Sequence, residues 1–219
     1  MRPQQWAQTA LIFLPMLAGQ DLSVVAQAAL AFIVFSLIAS SVYLFNDMAD
    51  LAADRAHPRK RHRPFAAADA TLKNGVVLMM GLLTVGGLLA VLFLPPAFLL
   101  TLLIYYALTF GYSMGLKRIA LIDIWALASL YTIRIVAGGV ATGIVLSPWL
   151  LTFSMFLFLA LAAIKRQAEL EDMAKRDQEK AAGRAYLASD LPLIRTLAIA
   201  AGYAAVLVFA LYVNSLAVE

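Results

Sequence analysis

Asn46, Asp47, Asp50 and Asp54 follow directly on an apolar stretch long enough to cross a bilayer, and a basic run from Arg55 to Arg63 closes the segment. On a helix, spacings of three, four and seven residues put the three carboxylates on one face within two turns. Like charges gathered so closely repel one another unless a cation sits among them. Hard carboxylate oxygens suit Mg2+, which takes one or two protein carboxylates and shares itself with substrate phosphates. Placed in hydrocarbon, each carboxylate would cost roughly 2.5–3.5 kcal/mol, so the cluster is expected in a polar cavity near the membrane surface. Pro58 should stop the helix and fold the basic run back over the acidic stripe. Arg55, Lys60, Arg61 and Arg63 above Mg2+ and the carboxylates would make a clamp for a diphosphate. The plainer alternative is a solvated acidic turn followed by cations facing anionic lipid. His57 and His62 are expected to hydrogen-bond or face solvent, since a hard-oxygen metal site does not need imidazole.

Two further connections carry charge. The first runs from Tyr112 through Lys117 and Arg118 to Asp123, which opens an apolar stretch containing Arg134. Asp123, Tyr131 and Arg134 share a helical face, but eleven residues separate Asp123 from Arg134, too far for a direct ion pair. Arg134 therefore needs another partner: a substrate anion, backbone carbonyls, or a carboxylate on another helix. Ala137-Gly138-Gly139 just beyond would allow close helix contact. The second connection opens with Lys165, Arg166 and Glu169. Lys165 and Glu169 are four apart, which makes either a helix-surface pair or the border of a cavity.

These groups need a membrane scaffold to position them. Of 219 residues, 63% are hydrophobic and 14% charged, with a mean hydropathy of +0.85. Soluble domains are nearer half apolar and a quarter charged, so the expected fold is an all-α, polytopic membrane helical bundle. There is no cysteine, which excludes disulfides and thiolate metal sites. The amino terminus lacks the pattern of a cleavable signal peptide. Apolar stretches predict seven spans: 7–19, 22–45, 75–94, 97–114, 121–143, 148–164 and 191–214, the first short enough to lie obliquely or at the interface. Lys and Arg gather in alternate connections, which the positive-inside rule places in the cytoplasm. The net charge of +4 reads as topology and anion binding, with no basic–aromatic groove for nucleic acid.

The motif Asn46-Asp47-x-x-Asp50-x-x-x-Asp54, ending in Arg63-Pro64, resembles the first aspartate-rich motif of the UbiA-type superfamily of intramembrane prenyltransferases. His57-Pro58-x-Lys60-x-x-Arg63-Pro64, Leu116-Lys117, Arg134 to Thr142 and Lys165-Arg166-x-Ala168-Glu169 narrow the resemblance to its phosphoribosyl-transferring branch, which acts on decaprenyl phosphate. The family pattern has a Lys-Asn pair where this chain has Gln8-Thr9. Members usually have nine spans, so residues 1–219 would be a single transmembrane domain lacking the last two family helices. The resemblance implies transfer of 5-phosphoribose from phosphoribosyl diphosphate to a polyprenyl phosphate, with Mg2+, releasing diphosphate. The setting would be cell-envelope synthesis at a bacterial plasma membrane, with the active face cytoplasmic.

Under that resemblance Asp47, Asp50 and Asp54, helped by Asn46, hold the metal. Arg55, Lys60, Arg61 and Arg63 grip donor phosphates. Tyr112, Lys117, Asp123, Arg134, Lys165, Arg166 and Glu169 are candidates around the lipid phosphate or the ribose 5-phosphate. A prenyltransferase acting on an aromatic acceptor would use the same clamp, and an ion-coupled transporter is a third reading. Homo-oligomer assembly is left open.

Overall fold

A computed structural model describes residues 3–56, 60–175 and 186–216. Among the described residues, six helices are long and apolar enough to cross a membrane. They are α3 (Val25–Ala49, entered through a 3-10 turn at Leu22–Val24), α5 (Leu72–Phe93), α6 (Pro96–Met114), α7 (Ile122–Thr142), α8 (Pro148–Ala174) and α9 (Leu191–Leu216). The expected first span is instead α1 (Pro3–Thr9), a 3-10 turn (Ala10–Phe13) and α2 (Leu14–Ala18). Its apolar part, Trp6–Ala18, would rise only about 20 Å, short of a hydrocarbon core of about 30 Å. A six-residue helix, α4 (Leu51–Ala56), follows α3.

Local chemistry sets the boundaries. Asp21 accepts from Ser23 Oγ at 2.5 Å and from Ser23 N at 3.0 Å to start the turn into α3, and the hydroxyl bond first, then the backbone one, holds its carboxyl below the ordinary range. Thr71 caps α5 through Asn74 N, and Ser147 caps α8 with Pro148 in its first turn. The largest departure from expectation is α8, which continues past residue 164 to Ala174. Lys165, Arg166 and Glu169 thus ride on a helix that began as a span.

The chain forms two compact units. One comprises residues 1–109 and 137–144, the other residues 110–136 and 145–219. In the first, α3 packs on α5, with Ala28, Ala31, Val34, Phe35 and Ile38 in its core. Gly86 of α5 lets the helices close up, since a Cβ there would stand 3.0 Å from Ile38 Cδ1. Gly138 makes the close approach expected of its motif, because a Cβ would collide with the backbone carbonyl of Ile12. In the second unit α8 packs along α9. Ile194, Ala198, Ala201 and Ala205 recur at helical spacing as the buried, mostly small face of α9.

Candidate functional site

The acidic stripe does not lie on one continuous helix. α3 ends at Ala49, Asp50 adopts φ −90° and ψ 13°, and α4 resumes at Leu51. Asp50 N donates to Asn46 O at 2.9 Å and Asp54 N to Asp50 O at 2.8 Å, so the turns carry through the junction. Arg63 brings two of the carboxylates together. Arg63 Nη1 donates to Asp47 Oδ1 at 3.0 Å and to Asp54 Oδ2 at 2.6 Å. Asp54 is only 2% exposed, whereas Asn46, Asp47 and Asp50 are half-buried.

Arg63 is placed by a short self-closed turn. Ala67 N donates to Arg63 O at 2.8 Å and Ala70 N to Pro64 O at 3.1 Å, while Ala68 takes φ +64°. The other cations expected above the carboxylates fall differently. Arg55 is exposed and bonds Ala66 O through Nε at 3.4 Å. Arg61 Nε donates to His62 Nε2 at 3.3 Å, with both side chains exposed, which fits the hydrogen-bonding role expected of His62. Lys60 opens a 3-10 turn, Lys60–His62. The expected helix stop at Pro58, with His57 and Arg59, lies outside the described residues.

A cavity of about 290 Å³ is lined by residues of this turn, of α3 and of α5. Asp47 and Asn74 are among its polar lining; Tyr43, Leu44, Phe65 and Leu78 give it a largely apolar wall. Gly75 also lines it, and nothing in the motif pattern marks Phe65, Asn74 or Gly75 as part of the site.

Among the described residues, no three His, Asp or Glu side chains gather into a ready metal cage. The chemistry of the donors nevertheless suits Mg2+. Two carboxylates within hydrogen-bonding distance of one guanidinium nitrogen can both touch a single cation. Mg2+ asks for one or two carboxylates and fills its remaining positions with water and phosphate oxygens.

In the second unit, Asp123 in the first turn of α7 is 0% exposed and Arg166 of α8 is 1% exposed. Arg166 Nη2 donates to Asp123 Oδ2, and Nη1 to Glu169 Oε2. Glu169 thus meets Arg166, and Lys165 is exposed. Tyr186 completes the cluster: its phenol donates to Asp123 Oδ1 and accepts from Leu121 N at 2.8 Å, and Arg166 lies over its ring at 5.3 Å. Burial raises the Tyr186 phenol well above its ordinary pKa, and the bond to the Asp123 carboxylate adds to the shift.

Arg134 is buried, donates Nη1 to the carbonyl of Leu130 and lies 5.5 Å over the Tyr131 ring. A backbone carbonyl, one of the partners expected for it, is thus in place. Lys117, in a 3-10 turn at Leu116–Arg118, and Tyr112, near the end of α6, are half-buried.

The sequence pattern of the UbiA prenyltransferase family matches residues 8–218. The chain is 38% identical over 215 residues to the "Uncharacterized protein y4nM" of Sinorhizobium fredii, covering 97% of this chain and 42% of that protein. It is 40% identical over 193 residues to the decaprenyl-phosphate phosphoribosyltransferase of Mycolicibacterium smegmatis, covering 82% of this chain and 58% of that protein. The chain thus spans about half the length of these relatives. Its fold is similar to that of a UbiA homolog from Archaeoglobus fulgidus bound to DMAPP and Mg2+, with a TM-score of 0.77 at 15% identity over 95% of this chain and 74% of that one. With nearly its whole length matched, and six spanning helices in a fold shared with a solved homolog, this chain belongs to the UbiA prenyltransferase family.

Proposed function

We propose that the chain transfers a 5-phosphoribosyl group from phosphoribosyl diphosphate to a polyprenyl phosphate, releasing diphosphate, at the cytoplasmic face of a bacterial plasma membrane. The observation that carries this reading is the convergence of Asp47 and Asp54 on Arg63, carboxylates and a guanidinium at one point. Support for the transferred group comes from the relatives named as decaprenyl-phosphate phosphoribosyltransferases.

Asp47 and Asp54 would hold Mg2+, with Asn46 and Asp50 in the same turns. Bound there, the metal supplies charge neutralisation for a leaving diphosphate. Arg63 grips a donor phosphate oxygen and orients the diphosphate; Arg55, Lys60 and Arg61, on the same connection, screen the remaining charge. An acceptor phosphate oxygen attacks the anomeric carbon as the bond to diphosphate breaks, and the electron pair leaves with diphosphate. The configuration inverts. An acceptor phosphate is already anionic near neutral pH, so no side chain need remove a proton. Lys117 and Lys165 are the candidates to bind the acceptor phosphate or the ribose 5-phosphate. Asp123, Arg166, Glu169 and Arg134 serve by fixing their helices, and Tyr112 by packing near the end of α6.

A second reading is favoured by the Archaeoglobus fulgidus homolog, whose bound DMAPP is a prenyl diphosphate: transfer of a prenyl group to an aromatic acceptor. One experiment separates the two. Purified protein is incubated with labelled phosphoribosyl diphosphate and decaprenyl phosphate, or with a labelled prenyl diphosphate and an aromatic acid. Mg2+-dependent label in the lipid supports phosphoribosyl transfer. Label in the aromatic acid supports the second reading, and label in neither overturns both.

A further inference from the structure

The arm that reaches the carboxylates is anchored by an apolar foot. Phe65 is buried, although most of the connection around it is exposed. Its ring occupies the notch left by Gly75: a Cβ there would stand 2.7 Å from Phe65 Cε1 and Cζ, and 2.8 Å from Met48 Sδ. Met48 follows Asp47 on α3, so one helical turn carries both the seat and a carboxylate. The turn from Arg63 to Ala70 is closed by its own backbone bonds, which makes foot and arm a single body.

Two carboxylates that share one donor nitrogen would repel each other strongly if that donor left. A guanidinium and a hard divalent cation are therefore alternatives for the same oxygens. We propose that Arg63 is a built-in counter-cation of the Asp47–Asp54 pair, positioned by Phe65 in the Gly75 notch, and that a divalent cation must compete with it for that pair. This rests on the Mg2+ reading above, though not on the identity of the transferred group.

The proposal fixes two opposite signs. Without the Arg63 charge the pair is more negative, so a free divalent cation binds more tightly. A diphosphate then loses a cation that would have gripped it, so it binds more weakly. A residue that merely kept the turn folded would weaken both.

The test uses the whole chain in detergent, with Mn2+ as the hard-oxygen probe followed by electron paramagnetic resonance, and inorganic diphosphate as the anion. Arg63→Gln should bind Mn2+ about tenfold more tightly, and diphosphate in the presence of Mn2+ about tenfold more weakly, the size of one charge-assisted hydrogen bond. Arg63→Lys should bring both constants back toward wild type. Phe65→Ala should move both in the same directions as Arg63→Gln, and should add nothing in an Arg63→Gln background. Mn2+ binding that is unchanged or weaker in Arg63→Gln overturns the proposal. A Phe65→Ala effect that persists undiminished in the Arg63→Gln background overturns the positioning role. Folding is checked by circular dichroism, and Phe65→Leu enters the same cycle if Phe65→Ala does not fold. Failure of phosphoribosyl transfer with these two signs intact would remove the activity and leave the role of Arg63 standing.

Discussion

Arg63 reaches back nine residues to place Nη1 2.6 Å from Asp54 Oδ2, and the same nitrogen also meets Asp47. Asp54 is the buried member of the pair, so it cannot exchange this partner for water as readily as Asp47 can. Asp54→Asn should lower Mg2+-dependent transfer at least about 100-fold, the upper range seen when groups supporting a metal are removed. Asp47→Asn should act in the same direction. Labelled-lipid formation at saturating Mg2+ measures both, and near-wild-type turnover in either variant would remove that residue from the metal site.

Arg166 and Asp123 form an ion pair with almost no solvent access. Truncating one partner of such a pair strands the other, at a cost of about 3–5 kcal/mol. Arg166→Ala should therefore sharply lower the midpoint of unfolding in detergent. The double replacement Asp123→Leu with Arg166→Met should recover much of the loss, because apolar groups of similar volume need no counter-ion. A double variant as unstable as the single one would contradict this account.

Tyr186 links the same cluster to the turn at Leu121. Its folded pKa is raised above an unfolded value of about 10, so its stabilisation is complete below about pH 10 and is lost as pH climbs through the folded value. Absorbance titration near 295 nm, wild type minus Tyr186→Phe, should show no phenolate from this residue at pH 10–11. The destabilisation by Tyr186→Phe should likewise be equal at pH 7 and pH 9. A normal phenolate step near pH 10 would refute the hydrogen bond to Asp123.

Gly138 and Gly87 offer a matched comparison. A methyl group at Gly138 meets the Ile12 carbonyl, whereas at Gly87 it meets nothing within 4 Å. Gly138→Ala should cost about 1–3 kcal/mol through overpacking, while Gly87→Ala should be neutral or slightly stabilising. Thermal unfolding of both in one detergent measures the contrast, and equal effects would exclude a tight contact at Gly138.

Six spans were legible because long apolar runs have few alternatives in a chain this hydrophobic. The short first segment was visible too, as a stretch below the bilayer length. The extension of α8 was not: Lys165 to Asp172 is charged enough to read as a connection, yet its helical propensity carries the span onward. The meeting of Asp47 and Asp54 followed from spacing alone, even with the helix interrupted at Asp50. The bond from Arg166 to Glu169 was not legible, because a periodicity of four pointed only to Lys165 and nothing local marks Arg166 as the side chain that turns inward to the buried Asp123. Phe65, Gly75 and Tyr186 escaped notice for a common reason. Their roles depend on tertiary contacts between residues distant in sequence, and no local pattern distinguishes an anchored phenylalanine from a lipid-facing one.

The unbroken 27-residue α8 would rise about 40 Å, whereas a bilayer core measures about 30 Å. Its last turns therefore extend beyond a core of that thickness, whereas Lys165, seventeen residues past Pro148, rises only about 26 Å along the axis. Lipid thickness becomes a dial on this cation: a core thicker than that rise submerges its base and makes the side chain reach for the headgroups, and a thinner one lifts it clear.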